Sequence, residues 1–114
     1  MIDTDRKLRA ACFDLDGTLV DTGPLHVKAE HRALAVLGIP EPAVDHPITF
    51  GAGISQGMQM LADHYDLESA DRVLEAYLPA WEWLYENSLA LLPGADAALR
   101  AVQAAGVPVA LLSL

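Results

Sequence analysis

The stretch "CFDLDGTLVD", Cys12 to Asp21, decides how the rest of the chain is read. An apolar run ends on Asp14, Leu15 intervenes, Asp16-Gly17-Thr18 follow, and apolar residues resume. Two carboxylates at the mouth of a buried strand are costly, because charge loses its hydration there. Asp16-Gly17 is also a strong hairpin signal, so a plain turn is the simplest reading. A calcium loop does not fit. Counted from Asp14, positions six and twelve are Leu19 and Leu25, where such a loop needs glycine and glutamate.

The chemical reading starts from geometry. "LRAACFDL", Leu8 to Leu15, is nearly continuous in apolar residues, as is "VPVALL", Val107 to Leu112. Such runs point to parallel strands covered on both faces. Ligands of parallel sheets bind outside the carboxyl ends of the strands. Asp14 lies at that end, and residues two apart in extended chain point the same way. Two carboxylates so placed invite a hard cation, here Mg²⁺. One can then act as nucleophile and the other as general acid and base. Gly17 allows close approach of backbone to a ligand, and Thr18 adds a hydroxyl donor.

Between the two strands the pattern is helical. Leu25, Ala29, Ala33, Val36 and Leu37 form one stripe, stopped by Gly38 and Pro40. Met58, Leu61, Ala62 and Tyr65 form a second. Leu74, Tyr77, Leu78, Trp81, Leu84 and Tyr85 form a third, with Pro79 expected to kink it or to open a new helix. After Pro93-Gly94 comes a helix with Ala95, Ala98, Leu99 and Val102 on one face. A strand–helix–strand crossover needs only one helix. The others therefore read as an insert, and the expected division is 1–20 core, 21–88 helical cap, 89–114 return to the core.

Composition narrows the functions. Of 114 residues, 53% are hydrophobic, too many for a disordered chain. The net charge is −9 with no basic run, so nothing drives nucleic-acid binding by counterion release. Anionic membranes are disfavoured likewise, and no apolar run approaches the ~20 residues of a membrane span. Cys12 is the only cysteine, read as core, and neither a zinc spacing nor HExxH occurs; His26 and His31 are five apart, not four. The polar N-terminus "MIDTDRKLRA" has no signal-peptide core, which makes the cytoplasm the default compartment. "GAGISQG", Gly51 to Gly57, lacks the Gly-Lys-Ser/Thr ending of a phosphate loop. The aromatic stripe through Trp81 is read as helix packing before it is read as a binding box.

"FDLDGTLVD" resembles the first motif of the haloacid dehalogenase-like (HAD) superfamily, in its phosphoglycolate-phosphatase and β-phosphoglucomutase branch. The resemblance spans the chain: a helical cap after the motif, "LLPGA" at the return, then a helix and an apolar strand ending in serine. It implies an α/β fold, a HAD-like Rossmannoid parallel-sheet core with an inserted helical cap, here incomplete. It implies that Asp14 is the nucleophile that becomes an aspartyl-phosphate. Asp16 would protonate the leaving alcohol and then activate water. Mg²⁺ would be held by the Asp14 side chain and the Asp16 backbone carbonyl. Halide-removing members lack the second aspartate, so Asp16 favours phosphate chemistry on small phosphorylated metabolites.

By the same resemblance, Ser113 matches the hydroxyl that binds the transferring phosphoryl group, although Leu114 stands where asparagine is usual. His26 matches a histidine that mutase-branch members often carry near the hinge. Its alternative is a helix-surface histidine paired with Glu30 at i+4. "GISQG", Gly53 to Gly57, resembles the substrate-reading cap loop. Gln56 stands where mutases commonly have arginine, and an amide does not replace a bidentate phosphate clamp. The family reaction also needs a later lysine and later acidic residues. Lys7 and Lys28 do not match that lysine, so the chain reads as the first half of a phosphatase, inactive alone and prone to aggregate. Three alternatives are a half-domain that pairs with a second chain, a sugar-phosphate mutase, and a nucleotide-binding module on the Gly51–Gly57 loop.

Overall fold

A computed structural model describes residues 7–113. The expectations for residues 1–6 and for Leu114 lie outside the described residues. The elements run β1 (Ala11–Asp14), α1 (Gly23–Val36), α2 (Ile54–His64), α3 (Ala70–Ser88), α4 (Ala95–Ala104) and β2 (Val109–Leu112). They fall into two compact units. One comprises residues 7–22 and 90–113 and carries β1, β2 and α4. The other is the all-helical segment Gly23–Leu89.

In the strand unit β1 and β2 pair in parallel, with Ala11 opposite Val109 and Asp14 opposite Leu112. The ladder continues past β1, because the Leu15 N–H donates to the Leu112 carbonyl at 3.1 Å. The segments before and after the helical unit pair antiparallel. Val20 bridges Leu91, the Asp21 N–H donates to Ala90 at 3.1 Å, and the Leu92 N–H to Leu19 at 2.9 Å. Leu19, Val20 and Ala95 are buried.

Both strands are shorter than the apolar runs that contain them, and they are not buried on two faces. β1 alternates half-buried and exposed, and every residue of β2 is exposed. Cys12 is exposed, contrary to the core position read from its sequence neighbours. The cause is the number of strands: among the described residues the sheet has two, and two strands cannot cover both of their own faces.

The helical unit has a continuous core. Leu25, Ala29 and Ala33 of α1 meet Met58, Leu61 and Ala62 of α2 and Val73, Tyr77 and Leu84 of α3. The stripes needed small corrections. Leu34 is buried while Val36, Leu78 and Tyr85 are exposed, because the α1 and α3 stripes are centred a residue or so away from their sequence patterns. α1 and α2 both close with the same left-handed cap. The Ile39 N–H donates to Leu34, and the Leu67 N–H to Ala62, both at 2.8 Å. The capping residues at positive φ are Gly38 and Asp66. In α3, the Ser69 side chain caps the N-terminus by accepting from the Arg72 N–H at 3.2 Å.

α3 runs unbroken through Pro79, so two helices do not form there. Pro79 and Glu75 both lie on the exposed face. The Glu75 carbonyl, whose donor the proline removes, therefore meets water rather than the core. Pro79→Ala restores that hydrogen bond and is expected to stabilise the helical unit by about 1 kcal/mol or more. A denaturant melt followed by tryptophan fluorescence reads this unit alone, since Trp81 and Trp83 both lie on α3.

Candidate active site

The turn after β1 is held by its own backbone. The Leu15 carbonyl accepts from Thr18 at 3.4 Å, Leu19 at 3.0 Å and Val20 at 3.2 Å, and the Gly17 N–H donates to Val20 at 2.9 Å. Gly17 sits at φ +75°, a left-handed conformation that side chains disfavour, which explains glycine there. Asp14 is exposed at the carboxyl end of β1, Asp16 is half-buried two residues on, and Thr18 is exposed. Ser113 directly follows Leu112, the register partner of Asp14, so parallel pairing brings this exposed hydroxyl residue to the same sheet end.

Asp14, Asp16, Gly17, Thr18 and Ser113 thus share one end of the two strands. Among the described residues neither aspartate enters an ion pair. No group of three or more His, Cys, Asp or Glu gathers there or elsewhere among the described residues. Two carboxylates and a backbone carbonyl nonetheless fit Mg²⁺, which binds through one or two carboxylates and keeps water or substrate phosphate for its other positions.

His26 and Gln56 belong to the helical unit. Gln56 is exposed in the first turn of α2. The glycines flanking it serve the fold: Gly53 begins α2 at φ +86°, and a Cβ on Gly57 would meet the Thr49 Cβ at 3.3 Å. His26 pairs with Glu30 at i+4, Nε2 to Oε1 at 3.2 Å, but the pair is not a surface one: Glu30 is 1% exposed.

Sequence reasoning missed what surrounds that pair. The Thr49 hydroxyl donates to Glu30 Oε1 at 2.9 Å, so its oxygen accepts from His26 Nε2–H at 2.8 Å. Nδ1 of the same ring is hydrogen-bonded to the Tyr77 hydroxyl at 2.6 Å. A second wing mirrors the first. The Tyr65 oxygen accepts from the Ala43 N–H at 3.1 Å, and its proton goes to His46 Nδ1 at 2.6 Å. That places the His46 proton on Nε2, 3.4 Å from Glu30 Oε2. The distance suits an ion pair, but its geometry does not complete a hydrogen bond, leaving both atoms without a partner among the described residues. Burial pushes the Glu30 carboxyl up, against the lowering pull of Thr49, His26 and His31. Burial, then the neighbouring Glu30 charge, pushes the Tyr77 phenol far above its usual range. The one sequence signal was an acid standing beside the apolar stripe of α1.

A parallel strand pair with a carboxylate-bearing turn at its carboxyl end, interrupted by an all-helical unit, defines an α/β protein of the Rossmann-like class. The sequence matches the family model for haloacid dehalogenase-like hydrolases over residues 8–113. The chain belongs to that hydrolase family. It is 31% identical over 113 residues to hexitol phosphatase B of Escherichia coli (strain K12), covering 96% of this chain and 51% of that protein. It is 32% identical over 112 residues to phosphoglycolate phosphatase of Pseudomonas putida, covering 92% and 41%. The crystal structure of a putative β-phosphoglucomutase from Thermotoga maritima superposes with a TM-score of 0.77 at 25% identity, covering 93% of this chain and 50% of that one. The chain spans about half the length of the curated relatives it matches. No helix among the described residues is long and apolar enough to cross a membrane.

Proposed function

We propose that the protein is a magnesium-dependent phosphatase of small phosphorylated metabolites, working through an aspartyl-phosphate on Asp14. The observation that carries this reading is the shared strand end: Asp14 and Asp16 flank one turn, and the parallel register adds Ser113 beside them. An Asp14 carboxylate oxygen attacks phosphorus, and the bond from phosphorus to the alcohol oxygen breaks. Asp16 gives that oxygen its proton. Asp16 then takes a proton from water as the water oxygen attacks the aspartyl-phosphate, releasing inorganic phosphate and restoring Asp14. Gly17, Thr18 and Ser113 offer N–H and hydroxyl donors to the phosphoryl oxygens. Mg²⁺, held by the Asp14 side chain and the Asp16 carbonyl, would supply charge neutralisation between carboxylate and phosphate.

Phosphatase names on relatives that match nearly the whole chain support the substrate class. Gln56 supports hydrolysis over mutase chemistry, since an amide offers no charged fork to a second phosphate. His26 and Gln56 are proposed as residues of the helical unit that face substrate choice. The lysine and acidic groups that complete such a site are proposed to come from a segment beyond these 114 residues or from a second chain.

The test is a phosphomonoester panel assayed with a lengthened chain, with Mg²⁺ present or removed by chelation. Hydrolysis that falls by at least about a hundredfold on chelation and returns with Mg²⁺ is expected. Hydrolysis indifferent to chelation would remove the metal from the reading.

A further inference from the structure

The segment that joins α1 to α2 and then forms α2 carries no fixed positive charge. No lysine or arginine stands between Arg32 and Arg72, while Glu41, Asp45, Asp63, Asp66, Glu68 and Asp71 do. The remaining basic side chains of the helical unit are directed elsewhere. Lys28 and Arg32 each stand two residues from Glu30, about 200° around α1 from it. The loop lies on the Glu30 side, because Thr49 donates to that carboxylate at 2.9 Å. Arg32 covers the Trp83 ring at 4.7 Å, and Arg72 pairs with Glu75 at 3.2 Å.

The histidines supply no substitute. His26 and His46 stand 3.2 and 3.4 Å from the oxygens of Glu30, so any charge they carry is already met. His64 Nε2 lies 3.3 Å from Asp45, and the His31 ring lies edge-on to that of His46 at 5.2 Å. What the segment offers around Gln56 is uncharged. Phe50 and Ile54 are exposed, and so are Ser55 and Gln56. The Phe50 ring lies 6.0 Å from that of His26.

We propose that the protein acts on monophosphate esters of uncharged alcohols and selects against esters whose alcohol part carries a second anionic group. This narrows the phosphatase reading and rests on it, including the placing of Gln56 toward substrate. The physical reason is the missing partner. A carboxylate that leaves water recovers its hydration only from charged donors or several hydrogen bonds. Here it would meet one amide, one hydroxyl, apolar carbon and the field of the surrounding acidic side chains. A neutral alcohol loses far less. Ser55 and Gln56 can exchange hydrogen bonds with its hydroxyls, and Phe50 and Ile54 can cover its C–H surface. Discrimination then comes from what the segment withholds as much as from what it provides.

The test compares matched esters on a lengthened chain with Mg²⁺. Hydroxyethyl phosphate is set against phosphoglycolate, and a hexitol monophosphate against the corresponding hexonate monophosphate. Within each pair only the second anionic group differs. The neutral member is expected to have the higher kcat/KM, by about tenfold or more. Gln56→Arg supplies the absent cation and should shift that ratio about tenfold or more toward the carboxylate member. Gln56 is exposed, so the variant does not disturb the core. Hydrolysis of other phosphoesters with the carboxylate members used equally or better, or with no use of the neutral members, overturns this inference and leaves the phosphatase reading standing. A ratio unmoved in Gln56→Arg overturns it as well. The absence of Mg²⁺-dependent hydrolysis of any ester fails the phosphatase reading itself, and this inference falls with it.

Discussion

Asp14→Asn is expected to lower phosphoester turnover of a lengthened chain by at least about a thousandfold, because an amide is a far weaker nucleophile than a carboxylate. The effect should fall on kcat. Asp14 is exposed at the strand end, and among the described residues its side chain joins no ion pair, so the substitution leaves the fold intact. Asp16→Asn separates the two steps. Leaving alcohols that need no proton should still transfer phosphate to Asp14, and the adduct should persist because no base activates water. Hydroxylamine trapping or intact-protein mass reads that adduct directly. Wild-type turnover in Asp14→Asn, or an adduct on another residue, would overturn the assignment of the nucleophile.

The second large effect concerns the helical unit. Leu61 of α2 is fully buried among residues of α1 and α3, so Leu61→Ala opens a cavity at the centre of the three-helix core. A loss of about 3 kcal/mol or more is expected, set by lost transfer free energy plus residual cavity. That is a large fraction of the stability of a domain of any size. Urea melts read by Trp81 and Trp83 fluorescence report it. A loss below about 1 kcal/mol would mean that the core is loosely packed and collapses around the deletion. The strand unit should respond differently. Leu111 and Leu112 are exposed on β2, so a charge at Leu111 is expected to reduce self-association rather than stability.

Much of the fold was legible because its signals are local. A glycine two residues past a helix permits a left-handed cap, and Gly38 sits at φ +94° where the α1 pattern stops. An Asp-Leu-Asp-Gly-Thr run after an apolar strand marks a turn, and the observed turn closes on its own carbonyl at Leu15. Pro79 misled in part, because its cost depends on whether the orphaned carbonyl faces water or core, and only packing decides that. Cys12 misled for a related reason: an apolar neighbourhood in sequence does not guarantee a second layer in space.

The sequence by itself determined which carboxylates stand at the end of β1, the order of elements and the interruption by helices, since each depends on residues a few positions apart. Tertiary structure alone decided what Glu30 meets. Its network joins Thr49 at a separation of 19, His26 to Tyr77 at 51 and His46 to Tyr65 at 19. No periodicity encodes which hydroxyl or imidazole will stand over a buried carboxylate. That is settled when α1, α3 and the loop close on one another, and desolvation then obliges each polar atom to find a partner.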